Sequence, residues 1–482
     1  MAAPGFAQED ARPDPSPAVQ EAPAMTVGRL ANGLRYAILK RKSAEPGAGV
    51  LMRNEGGFIA ERRPGERGLS HLIEHLVFLS PTRAAPETYR RFVAVGLPLT
   101  FGAPSAATNS WRETNYFLST RRTDPGDLDI LLALFREAAT ELTFREDAVD
   151  AGRAEVMKEM AEKRAGNALF ASYIAAIAPG SPTDVIDAQN SDDVPTASIA
   201  TIRDLYHRLY HPAAMVVVVV GDVDVAATQA AIAARFGSWA ARDSASAPVG
   251  HPQFVRDRIR PVSVAATPGG RRAALVTVVM PTPRPADTVA AQARAMLLDQ
   301  MAITAITSRL RTAQPNSPPG KVGALIETGE QGHRQLMLWD HYDAGQWSPA
   351  VQHLRRTSCD LVRSGFSEAE WAAARDTLTG ELERRAAAMA TVPNVDIAKD
   401  LSRAVADGRA LILPDALLAH ARAVLPRIDA RSGSAWWRAE WRAGREHFRV
   451  EEPDFTDTAA AERDVRDAVN GSATHAQCRL RE

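Results

Sequence analysis

Between Leu69 and Val77 the apolar residues follow a helical rhythm. At about 100° per residue, Leu69, Leu72, Ile73, Leu76 and Val77 share one side, while His71, Glu74 and His75 share the other. One face can sit in a core while the other presents polar side chains. Around this helix the pattern alternates between strands and helices. Arg35 to Leu39 reads as a strand after the Asn32-Gly33 turn, Ala48 to Asn54 as a second, and Thr114 to Leu118 as a third. The run Ala213 to Val220 is β-branched and ends at Gly221-Asp222, which predicts a buried strand. Helical patterns cover 87–95, 127–141, 146–165, 196–208 and 225–235, and a Gly/Pro/Ser/Thr-rich loop spans 96–109.

The same plan returns after a polar, Ala/Ser/Pro/Gly-rich stretch at 241–270. Ala274 to Met280 and Leu336 to Asp340 read as strands, and 286–312, 347–364 and 367–390 as helices. The expected organisation is a loose leader at 1–25, a domain at 26–240, a linker at 241–270, a second domain of similar plan at 271–435 and a carboxy-terminal extension at 436–482. Two tandem, homologous α+β domains follow, and a chain of 482 residues is too long for one core.

Composition narrows the function. Fifty-seven basic residues balance 58 acidic ones without a long basic run, which argues against a nucleic-acid partner. No apolar stretch reaches the eighteen or so residues that span a bilayer. Cys359 and Cys478 form neither a CxxC motif nor a zinc knuckle. The first residues, Met1 to Gln8, are like the tail of an export signal, with small residues around a cleavage point after Ala7. This points to a periplasmic or secreted location, with a cytoplasmic one as the alternative.

The polar face at 71–75 carries the chemistry. Histidines at i and i+4 lie one above the other on a helix and can grip one metal ion, and Glu74 stands beside them as a general base for a metal-bound water. His207 and His211 repeat the spacing without an intervening glutamate and read as structural. A catalytic zinc takes three protein ligands and leaves a position open. The helix at 146–165 offers Glu146, Asp147, Asp150, Glu155, Glu159 and Glu162 for the third, and chemistry alone does not choose among them.

Gly68 to Leu79, with His71-Leu72-Ile73-Glu74-His75 at its centre, resembles the signature of the insulinase/pitrilysin/mitochondrial-processing-peptidase family, the M16 inverzincins. Gly28 to Leu34, Thr114-x-Tyr116, Arg153 to Glu159, Tyr210 to Val223 and Gly365 to Glu370 resemble further family motifs in the same order. The resemblance implies an α+β fold in which each domain is a mainly antiparallel sheet packed with helices, the two making half of a clamshell. It implies His71, His75 and Glu159 as ligands of one zinc ion per chain, with Glu74 as the base. Where the family often carries a second glutamate, seven residues before the ligand, this chain has Gly152. The family's substrate-binding Asn-Ala pair corresponds here to Ser105-Ala106 or Ala106-Ala107, with Asn109 as the candidate to stand in for it.

The implied activity is a zinc-dependent endopeptidase that hydrolyses short or unfolded peptides in a closed chamber. Short family members pair, so a homodimer, or a heterodimer with a second M16-like chain, is expected. The alternatives are a non-catalytic M16-like partner or scaffold subunit, and a metal-binding protein without hydrolysis. Inactive sister chains usually lose a histidine or the glutamate, and a storage site needs no base between its ligands.

Overall fold

A computed structural model of the chain describes residues 25–44, 46–87, 106–110, 112–120, 122–179, 191–241, 255–267, 270–281, 288–315, 318–329 and 333–471. The leader up to residue 24, the helix expected at 87–95 beyond its first residue, most of the 96–109 loop, residues 242–254 and 268–269 of the 241–270 stretch, and residues 472–482 with Cys478 lie outside the described residues.

Two sheets organise the rest. The first contains β1 (Met25–Arg29), β2 (Arg35–Lys40), β3 (Gly49–Asn54), β4 (Ala107–Asn109), β5 (Thr114–Ser119) and β6 (Met215–Gly221), in the order β1-β2-β6-β3-β5-β4. The second contains β7 (Val262–Ala266), β8 (Ala273–Pro281), β9 (Val322–Gly329), β10 (His333–His341) and β11 (Arg445–Glu452), in the order β7-β11-β8-β10-β9. Without β1, both sheets place their strands as first, last, second, fourth, third. In each, the first and last strands pair parallel and the other pairings are antiparallel. The duplicated α+β plan is therefore visible in topology.

The helices of the first half are α1 (Leu69–Leu79), α2 (Pro125–Thr140), α3 (Glu146–Ile177), α4 (Ile199–Leu209) and α5 (Val225–Phe236). Those of the second are α6 (Val289–Thr312), α7 (Trp347–Ser364), α8 (Glu368–Ala388), α9 (Asn394–Ala406), α10 (Pro414–Val424), α11 (Ala430–Ala443) and α12 (Thr458–Gly471). Strand alternation sorts the first sheet into two faces. Val50, Met52, Tyr116, Leu118, Val217 and Val219 join α1, α2 and α4 in one core. Leu51, Phe117, Val216, Val218 and Val220 face the other way and are covered by Ile397, Ala398 and Leu401 of α9. Because β6 is buried on both faces, it reads as an unbroken apolar run. At Gly49 a side chain would collide with the backbone of α9, its Cβ lying 2.3 Å from Val395 N.

Three segments differ from the sequence expectation. Helix α3 runs twelve residues past 165, to Ile177, because its far end docks on the second sheet: Ile174 and Ile177 pack on Val279 and Ile259, and the Tyr173 hydroxyl contacts Thr277 Oγ1 at 3.0 Å and donates to Gln335 Oε1 at 2.7 Å. Val262–Ala266, placed in the linker from its Ala/Ser-rich surroundings, is strand β7. The described part of the expected extension, 436–471, is built into the second half, for β11 lies between β7 and β8 and Trp437 is fully buried. The charges of β11 hid it, since Arg449 and Glu451 are buried partners, with Arg449 also donating to Ser172 Oγ at 2.7 Å and Leu169 O at 3.1 Å of α3.

Candidate metal centre

Helix α1 is held at both its start and its flank. Gly68, at φ 85°, opens it, and a Cβ there would lie 2.7 Å from Ser191 Cα. Glu61 accepts from Gly68 N at 2.9 Å, Ser70 N at 2.7 Å and Ser70 Oγ at 2.5 Å, satisfying amides that the helix leaves open. Burial nevertheless pushes the Glu61 carboxyl up to about 7. The flank is a helix pair. A Cβ on Gly152 of α3 would lie 3.1 Å from Leu72 and 3.2 Å from Leu76, so glycine lets the two helices approach closely.

That approach brings together His71, His75 and Glu159, whose ligand atoms all lie within 4.8 Å of one another. The two imidazole Nε2 atoms are 3.3 Å apart, and Glu159 Oε2 is 3.5 Å from each. Zinc–nitrogen and zinc–oxygen bonds near 2.0–2.2 Å in a tetrahedron give ligand separations of about 3.3–3.6 Å. The triangle fits that requirement, and two imidazoles with one carboxylate are a donor set suited to zinc. Of the six carboxylates on this helix, Glu159 is the one that the geometry brings to the Nε2 atoms of both histidines. His207 and His211 lie outside the cluster, and it is the one such cluster among the described residues.

Glu74 stands beside the triangle, with Oε2 4.0 Å from His71 Nε2. Burial raises its carboxyl, opposed by the two histidines and reinforced by Glu159. On His75 burial works against the charge, but Glu159, Glu74 and Glu155 outweigh it and the imidazole is raised. Hydrogen bonds from His71 and His75 hold the Glu159 carboxyl far below its usual range, against its own burial and with help from Lys163, which forms an ion pair with it. Within electrostatic reach of Glu74 the hydroxyls of Tyr116 and Tyr210 meet in a buried hydrogen bond, and burial raises both phenols.

Glu155 is the residue whose role sequence reasoning missed. Its Oε2 lies 3.2 Å from His75 Nδ1. Accepting that N–H orients the ring and leaves Nε2 turned to the cluster. The support that Gly152 cannot provide thus comes from the position one turn before Glu159, and the (i, i+4) spacing was the signal available for it. Asn109, on edge strand β4, has its side chain engaged: Nδ2 donates to Thr114 Oγ1 at 2.7 Å and Oδ1 accepts from Ser70 Oγ at 3.3 Å. It ties the sheet edge to α1 one residue before His71.

Residues 50–176 match the sequence model of the insulinase family, peptidase family M16, and residues 196–315 match that of the peptidase M16 inactive domain. The chain belongs to the M16 peptidase family. Among curated proteins, this M16 chain is 30% identical over 210 residues to "Probable zinc protease PqqL" of Escherichia coli (strain K12), a stretch covering 42% of this chain and 22% of that one. Among solved structures it is similar to the periplasmic protease PqqL from Escherichia coli, with a TM-score of 0.80 and 18% identity over 95% of this chain and 51% of that one. The first half of the same protease is matched over 95% of this chain and 99% of that one, with a TM-score of 0.78 and 18% identity. The chain thus spans about half the length of that protease. Among the described residues no helix is long and apolar enough to cross a membrane.

Proposed function

We propose that this M16 chain is a zinc-dependent endopeptidase that cuts short or unfolded peptides. The observation that carries the reading is the triangle of His71, His75 and Glu159 with Glu74 at its side. One zinc ion per chain, held by those three residues, supplies Lewis acidity toward the peptide carbonyl and toward water. Glu74 takes the proton of the attacking water on its carboxylate and passes it to the departing nitrogen, a role suited to a buried carboxyl with a raised pKa. Glu155 holds the His75 ring, and Lys163 offsets charge on Glu159.

The peptide lies along β4. Among the described strands it is at the sheet edge, pairs with β5 on one side and stands next to α1 through the Ser70–Asn109 hydrogen bond. An extended peptide adding to such an edge presents its backbone to the strand and alternate side chains to either face. Asn109 is assigned to substrate binding because it sets the position of this edge. The chamber is closed by a second M16-like half, supplied in a homodimer or by a second M16-like chain. A periplasmic location is proposed by analogy with that protease.

The test is Glu74→Gln. The variant is expected to keep its zinc while hydrolysis of a quenched peptide library falls by about 10²–10⁴-fold. Unchanged hydrolysis would remove Glu74 as the base. Zinc-loaded wild type that cuts nothing, alone or as the dimer found by light scattering, would instead make the chain a non-catalytic partner subunit.

A further inference from the structure

On the face of the first sheet opposite α1, Arg53, Thr108, Asn115, Phe117, Lys399 and Arg403 line a cavity of about 240 Å³. On the same measure a single water needs only about 10–15 Å³, so the space admits a group much larger than one water. None of its lining residues is acidic. It lies at the β4 edge, for Thr108 pairs with Asn115 on β5 and Asn115 with Arg53 on β3, so the three form one row across the sheet.

The three cations differ in freedom. Arg53 is fully buried and fixed by Glu55 at 3.1 Å and Glu113 at 3.6 Å. Lys399 lies 4.1 Å from the Phe117 ring centroid and pairs with Asp396 at 3.1 Å. Arg403 pairs with Asp400 at 3.7 Å and is 64% exposed. These last two pairs join residues three apart on the surface of α9, where such pairs are weak and readily exchanged for another anion.

A peptide added to β4 extends the row by one strand. The residue opposite Thr108 projects onto the face of Arg53 and Asn115, about 4.8 Å from β4, and its neighbours project onto the face of α1 and the metal cluster. We infer that the cavity is a charged subsite holding a carboxylate of the bound peptide, from an Asp or Glu side chain or from a free C-terminus, at a position next to one that faces the metal cluster. The inference rests on the peptidase reading above and deepens it, since Lys399 and Arg403 come from the half of the chain that carries no metal cluster among its described residues.

The test uses quenched peptides that carry Glu or Gln at each position in turn, with C-termini free or amidated. Glu is expected to exceed Gln in kcat/KM by about tenfold at one position, the scale of a charge-assisted hydrogen bond. If amidation, and not Glu→Gln, causes the loss, the group held is the terminal carboxylate. Lys399→Glu combined with Arg403→Glu should reverse the preference in favour of Lys, a gain that misfolding does not produce. Binding of the same peptides, labelled, to the Glu74→Gln variant by fluorescence anisotropy separates the two ideas. Tighter binding of the carboxylate peptide without cleavage by wild type would sink the peptidase reading and keep the subsite. Cleavage that ignores Glu, amidation and both charge reversals would overturn the subsite and keep the peptidase.

Discussion

The two halves share one strand order and differ in what lies between two corresponding helices. In the first half α1 follows β3 and packs on α3, the second helix after β5; in the second, α6 follows β8 and packs on α8, the second helix after β10. The α1–α3 pair sets His71, Glu74, His75, Glu155 and Glu159 toward one another. The α6–α8 pair buries Leu297, Met301, Ala305 and Ile306 with Trp371, Ala374 and Leu378. Its polar link is the Arg309–Glu370 pair at 2.6 Å near the end of α6. An apolar seam contributes stability directly, whereas partly buried carboxylates and imidazoles are costly unless each has a partner. One scaffold therefore tolerates either filling, and the chemistry belongs to the side chains and not to the fold.

The halves are also tied together. The far end of α3 docks on the second sheet through Tyr173 and Arg449, and α9 covers the second face of the first sheet. Glu159 thus sits on a rod whose other end is anchored in the half without a metal cluster among its described residues.

The contrast can be broken most strongly at the cluster. His75→Ala should weaken zinc binding by at least about a thousandfold, measured by competition with a chromogenic chelator, since the three proposed ligands become two. Next comes the apolar seam. Trp371 is buried and donates to Ile428 O at 2.9 Å, so Trp371→Ala should cost about 3–5 kcal/mol in denaturant unfolding and leave zinc affinity within about twofold. A parallel loss of zinc affinity would mean that the seam sets the ligand geometry.

A pH series addresses the junction. His447 contacts Ser263 Oγ at 3.0 Å and the Arg260 carbonyl at 2.6 Å, and burial lowers its imidazole from 6.5 to about 4. The unfolded chain then binds the proton first, so the stability due to neutral His447 is full above pH 6.5 and is lost as pH falls toward 4. The loss amounts to about 3 kcal/mol. His447→Gln should flatten the fall in stability between pH 7 and 4 relative to wild type. The smallest effect is expected at the support of His75: Glu155→Gln should lower zinc affinity by about 10–100-fold with little change in melting temperature.

Much of the candidate site was legible because its signals are local. The spacing of His71, Glu74 and His75 within one helix needs no tertiary knowledge, since 3.6 residues per turn already place them on one side. Glu159 entered through resemblance to a family motif. Glu155 went unassigned because six acids share that helix, and only its packing against α1 tells which two turn toward the histidines.

The sequence by itself determined the α+β alternation, the buried β6 and the polar stripe on α1, because alternation and helical periodicity are properties of a single segment. Tertiary structure decided where α3 ends, that Val262–Ala266 and Arg445–Glu452 are strands, and which half covers which sheet face. Those outcomes depend on partners far away in the chain. Arg449 and Glu451 look like surface charges until the strand that carries them lies within a sheet and under another helix. The meeting of residues 75, 155 and 159 has the same origin: Gly152 removes a side chain from a helix contact, and the two helices come close enough for these side chains to meet.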